Sequence, residues 1–210
     1  MVVNVKKQIE EEKKYKIAIL TPNNRLCGCY FWMDLIELII YLLTKRHKIL
    51  FRQNESSAPL NIKREYLAQE AINQNVDYIL WLDDDMRFGP DVFDRLLKWD
   101  KDIISGMYAD RYGNIICKTE GQKMITSEMV KKEELIEIES TGFGILLVKA
   151  EVFRKMKRPW FEWKLGRPED LDWCLKAREQ GFKIYCDPNT FLGHGYTCLH
   201  RYHVLTPSIY

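Results

Sequence analysis

Residues 78–91 read YILWLDDDMRFGPD. Four apolar residues, Ile79, Leu80, Trp81 and Leu82, run straight into three carboxylates, Asp83, Asp84 and Asp85. An unbroken apolar run of this length suits a strand covered on both faces, as in a parallel sheet. Ligands of open α/β sheets bind beyond the carboxyl ends of the strands. Three like charges placed there are costly unless a cation offsets them. Mg²⁺ and Mn²⁺ are hard ions that take oxygen ligands and bridge carboxylates to substrate phosphates. The plainer alternative is one capping Asp and two solvated ones. Asp91, just after Pro90, makes that cap less necessary.

Outward from this stretch the pattern alternates. Residues 15–20 (YKIAIL) and 48–53 (KILFRQ) read as strands, and residues 30–45 and 61–74 as helices. With 76–82 as the next strand, 90–99 as a short helix and 102–108 as a strand, the first half is β-α-β-α-β-α-β. Beyond 108 the segments GNIICK, KMIT and LIEIES are short and spaced by turns, which predicts a small antiparallel extension. Residues 142–156 read as strand then helix, 169–181 as a helix closed by Gly181, and 182–187 as a last strand. The expectation is one α/β domain over 1–210. Its nucleotide-binding half is about 15–110 and its acceptor half about 111–210.

Composition narrows the classes. Hydrophobic residues at 46% of 210 make a packed core, not a disordered chain. Lys+Arg of 32 against Asp+Glu of 30 leaves +2, which gives no footing for a nucleic-acid partner. Cysteines at 27, 29, 117, 174, 186 and 198 fit no zinc spacing, so reduced thiols are expected. The N-terminus is highly charged and lacks a leader pattern. The run LIELIIYLL at 35–43 contains Glu37 and is too short for a transmembrane segment. A cytoplasmic protein, soluble or peripheral, is the expectation.

Two later features add to the carboxylates. Glu169, Asp170 and Asp172 crowd the first turn of a helix, where the macrodipole favours acids in any case. His194 stands between two glycines in FLGHGY, read as a loop after the last strand. Glycines let a backbone approach a ligand, although a lone His is more often structural.

In this order, the ILTP strand, the helix bearing Arg64, LWLDDDM, DIISGMYADR, STGFGILLVKAEVF, EDLDWCLKAREQGFKIYCD and the late His194 resemble a family. The chain resembles the nucleotide-sugar glycosyltransferases of GT-A fold, most of all glycosyltransferase family 2. The resemblance runs from residue 19 to 196 and implies a Rossmann-like mixed sheet. It implies a UDP- or GDP-sugar donor and a divalent metal, Mn²⁺ in preference to Mg²⁺. It assigns Asp83, Asp85 and His194 to the metal. It assigns Thr21, Pro22, Arg64, Asp83, Asp84, Arg111 and Gly142-Phe143-Gly144 to the donor. Asp170 would be the base of an inverting reaction and Glu169 its neighbour at the acceptor hydroxyl. Trp160 and Trp163 would stack on an acceptor, which is a glycan, lipid or protein.

Three alternatives stay open on sequence. One is a retaining transferase of the same fold. Another is a nucleotidyl- or phosphotransferase, disfavoured because no GxxxxGK[ST] loop is present. The third is a non-catalytic binder of nucleotide sugars or glycans.

Overall fold

Ile79 and Trp81 point to one side of their strand, Leu80 and Leu82 to the other, and a separate hydrophobic core forms on each side. This alternation is the period-two geometry of a strand buried on both faces. The computed structural model describes residues 13–23, 29–110, 113–130 and 134–194. Its elements follow the predicted order. They are β1 (Lys16–Pro22), α1 (Cys29–Thr44), β2 (Lys48–Asn54), α2 (Leu60–Asn73), β3 (Tyr78–Leu82), β4 (Met86–Arg87), α3 (Val92–Leu97) and β5 (Ile103–Tyr108). Then come β6 (Lys118–Thr119), β7 (Lys123–Met124), α4 (Ser127–Val130), β8 (Ile136–Ile138), β9 (Ile145–Lys149), α5 (Ala150–Lys155), α6 (Glu169–Glu179) and β10 (Ile184–His194).

Among the described residues the main sheet has eight strands. Seven follow the order β2-β1-β3-β9-β5-β10-β4, and β8 pairs with β10 off that path. β1 runs parallel to β2 and β3. β9 enters antiparallel between β3 and β5. The apolar run of β3 therefore has a parallel neighbour on one side and an antiparallel one on the other. Burial on both faces, not strand direction, is what the run encodes. α2, α5 and α6 supply Leu67, Phe153 and Trp173 to one core. α1 and α3 supply Leu35, Leu38, Phe93 and Leu96 to the other. The expected antiparallel extension is present as the β6–β7 ladder and the β8–β10 pairing.

β10 is longer than the sequence pattern predicts. Pro188 reads as a strand end, because proline cannot donate to a ladder. Here the chain bulges between Asp187 and Phe191 and then resumes pairing with β5. The Asp187 carboxylate fixes the bulge by accepting the Asn189 N–H (3.0 Å) and the Thr190 hydroxyl (2.7 Å). His194 consequently lies on a strand and not in a loop. Its backbone pairs with Met86 on β4, the residue after Asp85.

Candidate active site

The site is built where β3 ends. The Asp83 N–H donates to the Gly144 carbonyl at 3.1 Å, so the segment entering β9 is bonded to the start of the acidic turn. The Met86 N–H donates back to the Asp83 carbonyl at 3.2 Å, which closes the turn around Asp84 and Asp85. All three carboxylates are half-buried.

Arg64 joins this turn to α6. It is only 2% exposed and projects from α2. Its Nη2 lies 3.0 Å from Asp83 Oδ1, and its Nε lies 3.4 Å from Glu169 Oε1. The guanidinium rests on the Phe143 ring, 4.7 Å from its centroid. Planar cations stack on aromatic faces in this way. Nη1 is buried without a hydrogen-bond partner among the described residues.

The electrostatics follow from burial. Desolvation pushes the Asp83 carboxyl up to about 6, with Asp85, Asp170 and Asp84 adding in the same direction and Arg64 opposing them. Desolvation also raises Glu169, again against Arg64 and with Asp170. Asp172 behaves differently. Although burial works against its charge, hydrogen bonds from Lys176 and Lys164 hold it below the usual carboxylate range. Lys176, Lys164 and Arg167 lie 3.0, 3.1 and 3.3 Å from it, so it is a structural anchor of the segment before α6.

Asp170 is half-buried on the first turn of α6, and its Oδ1 accepts the Leu171 N–H at 2.7 Å. Its Oδ2 lies 3.5 Å from where a Cβ on Gly142 would stand. The glycines of the GFG segment have a further reason. A Cβ on Gly142 would fall 2.5 Å from Tyr108 Oη, and one on Gly144 would fall 2.7 Å from Tyr108 Cζ. Both positions exclude side chains because the Tyr108 ring lies across them. Its hydroxyl oxygen accepts the Gly144 N–H at 2.9 Å. Burial drives the Tyr108 phenol well above its ordinary value. Phe143 between the glycines is buried under Arg64 and presents no face to solvent.

Other expected residues divide. Thr21, at the end of β1, is fully buried, and its hydroxyl has no partner among the described residues. Pro22 and Asn23 beside it are buried, and Lys63 donates to the Asn23 carbonyl at 2.7 Å. Trp163 is 63% exposed. Trp160 is a correction: it is 3% exposed, its Nε1 donates to the Met156 carbonyl, and its ring packs edge-on against Phe153. A side chain held in that core has no face for an acceptor. Arg111 and the side chain of His194 lie outside the described residues. Among the described residues no group of three His, Cys, Asp or Glu side chains could hold a metal ion.

Three contributors escaped the sequence reading. Tyr108 is one. Glu65, next to Arg64, is another; it accepts the backbone N–H groups of Trp160 (2.8 Å) and Phe161 (3.0 Å) and so fixes the approach to α6. Asp34 is the third. It takes a two-pronged bond from Arg87 (2.6 and 3.0 Å) and the Phe88 N–H (3.1 Å), tying α1 to the β4 strand opposite His194. Only its place within an apolar helix could have singled it out, since a buried charge requires a partner.

No protein-family model matches the sequence, and no curated protein matches it. Solved structures do. A197 from STIV superimposes with a TM-score of 0.56 at 15% identity, over 89% of this chain and 97% of that one. GalNAc-T7, solved with UDP, GalNAc and Mn²⁺, superimposes with a TM-score of 0.62 at 13% identity, over 94% of this chain. S. aureus TarS 1–349 gives 0.51 at 11% identity, over 84% of this chain. The chain has the GT-A fold. It spans 46% of the GalNAc-T7 chain and 59% of the TarS chain. At these identities the likeness is one of fold. No described helix is long and apolar enough to cross a membrane.

Proposed function

We propose that the chain is a metal-dependent, inverting glycosyltransferase that moves a sugar from a UDP- or GDP-sugar to an acceptor hydroxyl on a glycan, lipid or protein. The observation that carries this reading is the Arg64 bridge from Asp83 at the end of β3 to Glu169 at the start of α6. It holds the acidic turn and the Glu169-Asp170 pair at one end of the sheet. A transferase of this class needs a place for diphosphate and a base at one reaction centre. The GT-A fold and a neighbour solved with UDP and Mn²⁺ give the same direction.

The roles divide by environment. Asp83 is committed to Arg64, so its charge is partly spent within the protein. Asp85 and His194 would hold the cation, with Asp83 completing the acidic wall. A hard carboxylate donor and an imidazole on a strand paired to the next residue fit Mn²⁺, and less well Mg²⁺. When bound, that ion would offset the negative charge of the leaving diphosphate. Thr21 and Pro22 lie at the end of β1 for the nucleoside, and the buried Thr21 hydroxyl has no partner among the described residues. Asp170 takes the proton of the acceptor hydroxyl at Oδ2, while the Leu171 N–H orients the carboxylate through Oδ1. Glu169 stays with Arg64 and positions rather than reacts. Trp163 offers an exposed ring to the acceptor.

A panel of nucleotide sugars with Mn²⁺, followed by thermal shift and by hydrolysis or transfer, tests the reading. Thermal shifts with one donor and turnover with an acceptor are expected. A shift without any turnover would replace it with a non-catalytic binder. A product of retained anomeric configuration would remove Asp170 from the role of base.

A further inference from the structure

We infer that the Tyr108 hydroxyl donates a hydrogen bond to a sugar hydroxyl oxygen bound beside Asp170, which makes Tyr108 a substrate contact as well as a support for Gly142 and Gly144. The inference rests on the proposed transferase reading and names one contact within it. It starts from an uncommitted proton. The Tyr108 oxygen accepts the Gly144 N–H at 2.9 Å, and among the described residues its own proton meets no acceptor. A phenol both donates and accepts, and a buried one normally finds partners. Tyr108 is only 5% exposed, so bulk water is largely shut out.

The surroundings do not absorb that proton. The carbonyls of the two glycines under the ring are engaged: Gly142 accepts the Thr141 hydroxyl at 3.2 Å, and Gly144 accepts the Asp83 N–H at 3.1 Å. Ile116 is the other side chain at this point, with its Cγ2 3.2 Å from where a Cβ on Gly142 would stand, and it carries no polar atom. The charges of Asp83 and Asp170 act on the phenol and oppose its ionisation, so it remains a donor at neutral pH.

Gly142 also locates the ligand. A Cβ there would lie 2.5 Å from Tyr108 Oη and 3.5 Å from Asp170 Oδ2, so the two oxygens stand at most about 6 Å apart. Asp170 keeps part of its surface in solvent, which gives a ligand a way in. In the proposed reaction Asp170 Oδ2 takes the proton of the attacking hydroxyl. A hydrogen bond from Tyr108 to that same oxygen would occupy a lone pair that the attack needs. The oxygen served by Tyr108 is therefore a second one. Sugars carry hydroxyl groups on adjacent carbons, and hydrogen bonds of about 2.5–3.0 Å from each end reach across the space between Asp170 and Tyr108. A lone alcohol has no second oxygen to offer. The ring that supplies it is the acceptor or the transferred sugar, since the two meet where the new bond forms.

Deletions on enzyme and substrate together test the contact. The nucleotide sugar that turns over with Mn²⁺ is compared with its forms lacking one hydroxyl each, and methyl hexosides as acceptors are compared with theirs. Tyr108→Phe is expected to lower kcat/KM roughly 2- to 13-fold on the complete sugars, the worth of one neutral hydrogen bond. On one deoxy form the variant and the wild type should be equal, because the contact is already gone. Whether that form is a donor or an acceptor identifies the ring. Lost packing, or the lost acceptor for the Gly144 N–H, would instead lower every form by the same factor. An equal loss on all forms overturns the inference, and so does no loss. If Tyr108→Phe does not fold, 3-fluorotyrosine in place of Tyr108 keeps the phenol and reports the contact. Its ¹⁹F resonance should move with the complete sugar and stay in place with the deoxy form; a resonance that treats the two alike overturns the inference. A wild type that turns over no nucleotide sugar removes the transferase reading and this contact with it, whereas an equal loss on all forms leaves that reading standing.

Discussion

Arg64 Nη2 stands 3.0 Å from Asp83 Oδ1 while the same guanidinium reaches Glu169, so one buried cation serves two carboxylates far apart in the sequence. Arg64→Met keeps the length of the side chain and removes the charge. Both carboxylates then lose their counter-ion in a desolvated place. Breaking a fully buried pair costs about 3–5 kcal/mol. The cost here is expected to be smaller, because the Asp83 side chain keeps 29% of its exposure. Thermal unfolding should show a clear drop in midpoint, and transfer should be lost with it. An unchanged midpoint would mean that the bridge is not a support of the site.

The Asp83 carboxyl supplies a pH signature. Its ordinary value is 3.8, and burial raises it to about 6 in the folded chain. Between those values the native state binds more protons than the unfolded one, so this group's contribution to stability falls as pH rises from about 4 to about 6. Asp83→Asn removes the titration. The wild-type midpoint relative to that variant should therefore decline across this window and level off above it. A parallel pair of curves would place the Asp83 carboxyl near its ordinary value.

Tyr108 and Gly142 make a steric pair that a double substitution can read. Gly142→Ala drives a methyl to 2.5 Å from the phenol oxygen and should cost about 1–3 kcal/mol, as overpacking does. Tyr108→Phe removes that oxygen and leaves the Gly144 N–H without its acceptor. The two together should cost less than the sum of the singles. Gly144→Ala meets the ring carbons at 2.7 and 2.8 Å as well as the oxygen at 2.9 Å, so Tyr108→Phe should give it much less relief than it gives Gly142→Ala. Denaturant unfolding of the five variants measures both couplings.

Much of this was legible because periodicity and charge are local. The β-α alternation, the acidic end of β3 and the acids opening α6 all follow from spacing alone. What resisted was whatever depends on tertiary neighbours. The apolar run of β3 records that both faces are covered, and β9 satisfies that as well as a parallel strand would. Pro188 hid the second half of β10 because the Asp187 bulge is set by side-chain bonds across three residues. The glycines of GFG signal close approach without naming Tyr108 as the group that approaches. Trp160 and Trp163 look alike in sequence, yet Glu65 draws the backbone at 160–161 inward and leaves Trp163 outside. Leu165 beside it, 94% exposed, carried no signal at all.

Asp85 and His194 are expected to act together on the cation. Asp85→Ala should abolish Mn²⁺-dependent affinity for a nucleoside diphosphate, measured by calorimetry. His194→Ala should weaken Mn²⁺ binding and leave the thermal transition of the metal-free chain in place. Its backbone ladder to Met86 survives the substitution, since that pairing needs no side chain. Full Mn²⁺ affinity in Asp85→Ala would move the cation away from the acidic turn. A lost thermal transition in His194→Ala, with metal affinity kept, would make the histidine a packing residue.

Asp170→Asn separates binding from chemistry. The amide has nearly the same size, and its oxygen can still accept the Leu171 N–H that the carboxylate now takes at 2.7 Å. It cannot take a proton at neutral pH. Asp172, clasped by three cations, remains to hold the start of α6, so the fold should change little. Removing an acid from a helix N-terminus costs only about 0.3–1 kcal/mol. General-base catalysis is worth roughly 10²–10⁴-fold, and kcat should fall on that scale. Donor affinity should stay near that of the wild type, because Asp170 is not among the groups proposed for the diphosphate. Glu169→Gln is the contrast, since it weakens the Arg64 bridge and should lower stability and donor affinity together. If Asp170→Asn keeps transfer within a few-fold of the wild type, the base lies elsewhere, and a retaining course, in which this carboxylate only positions substrate, becomes the better account.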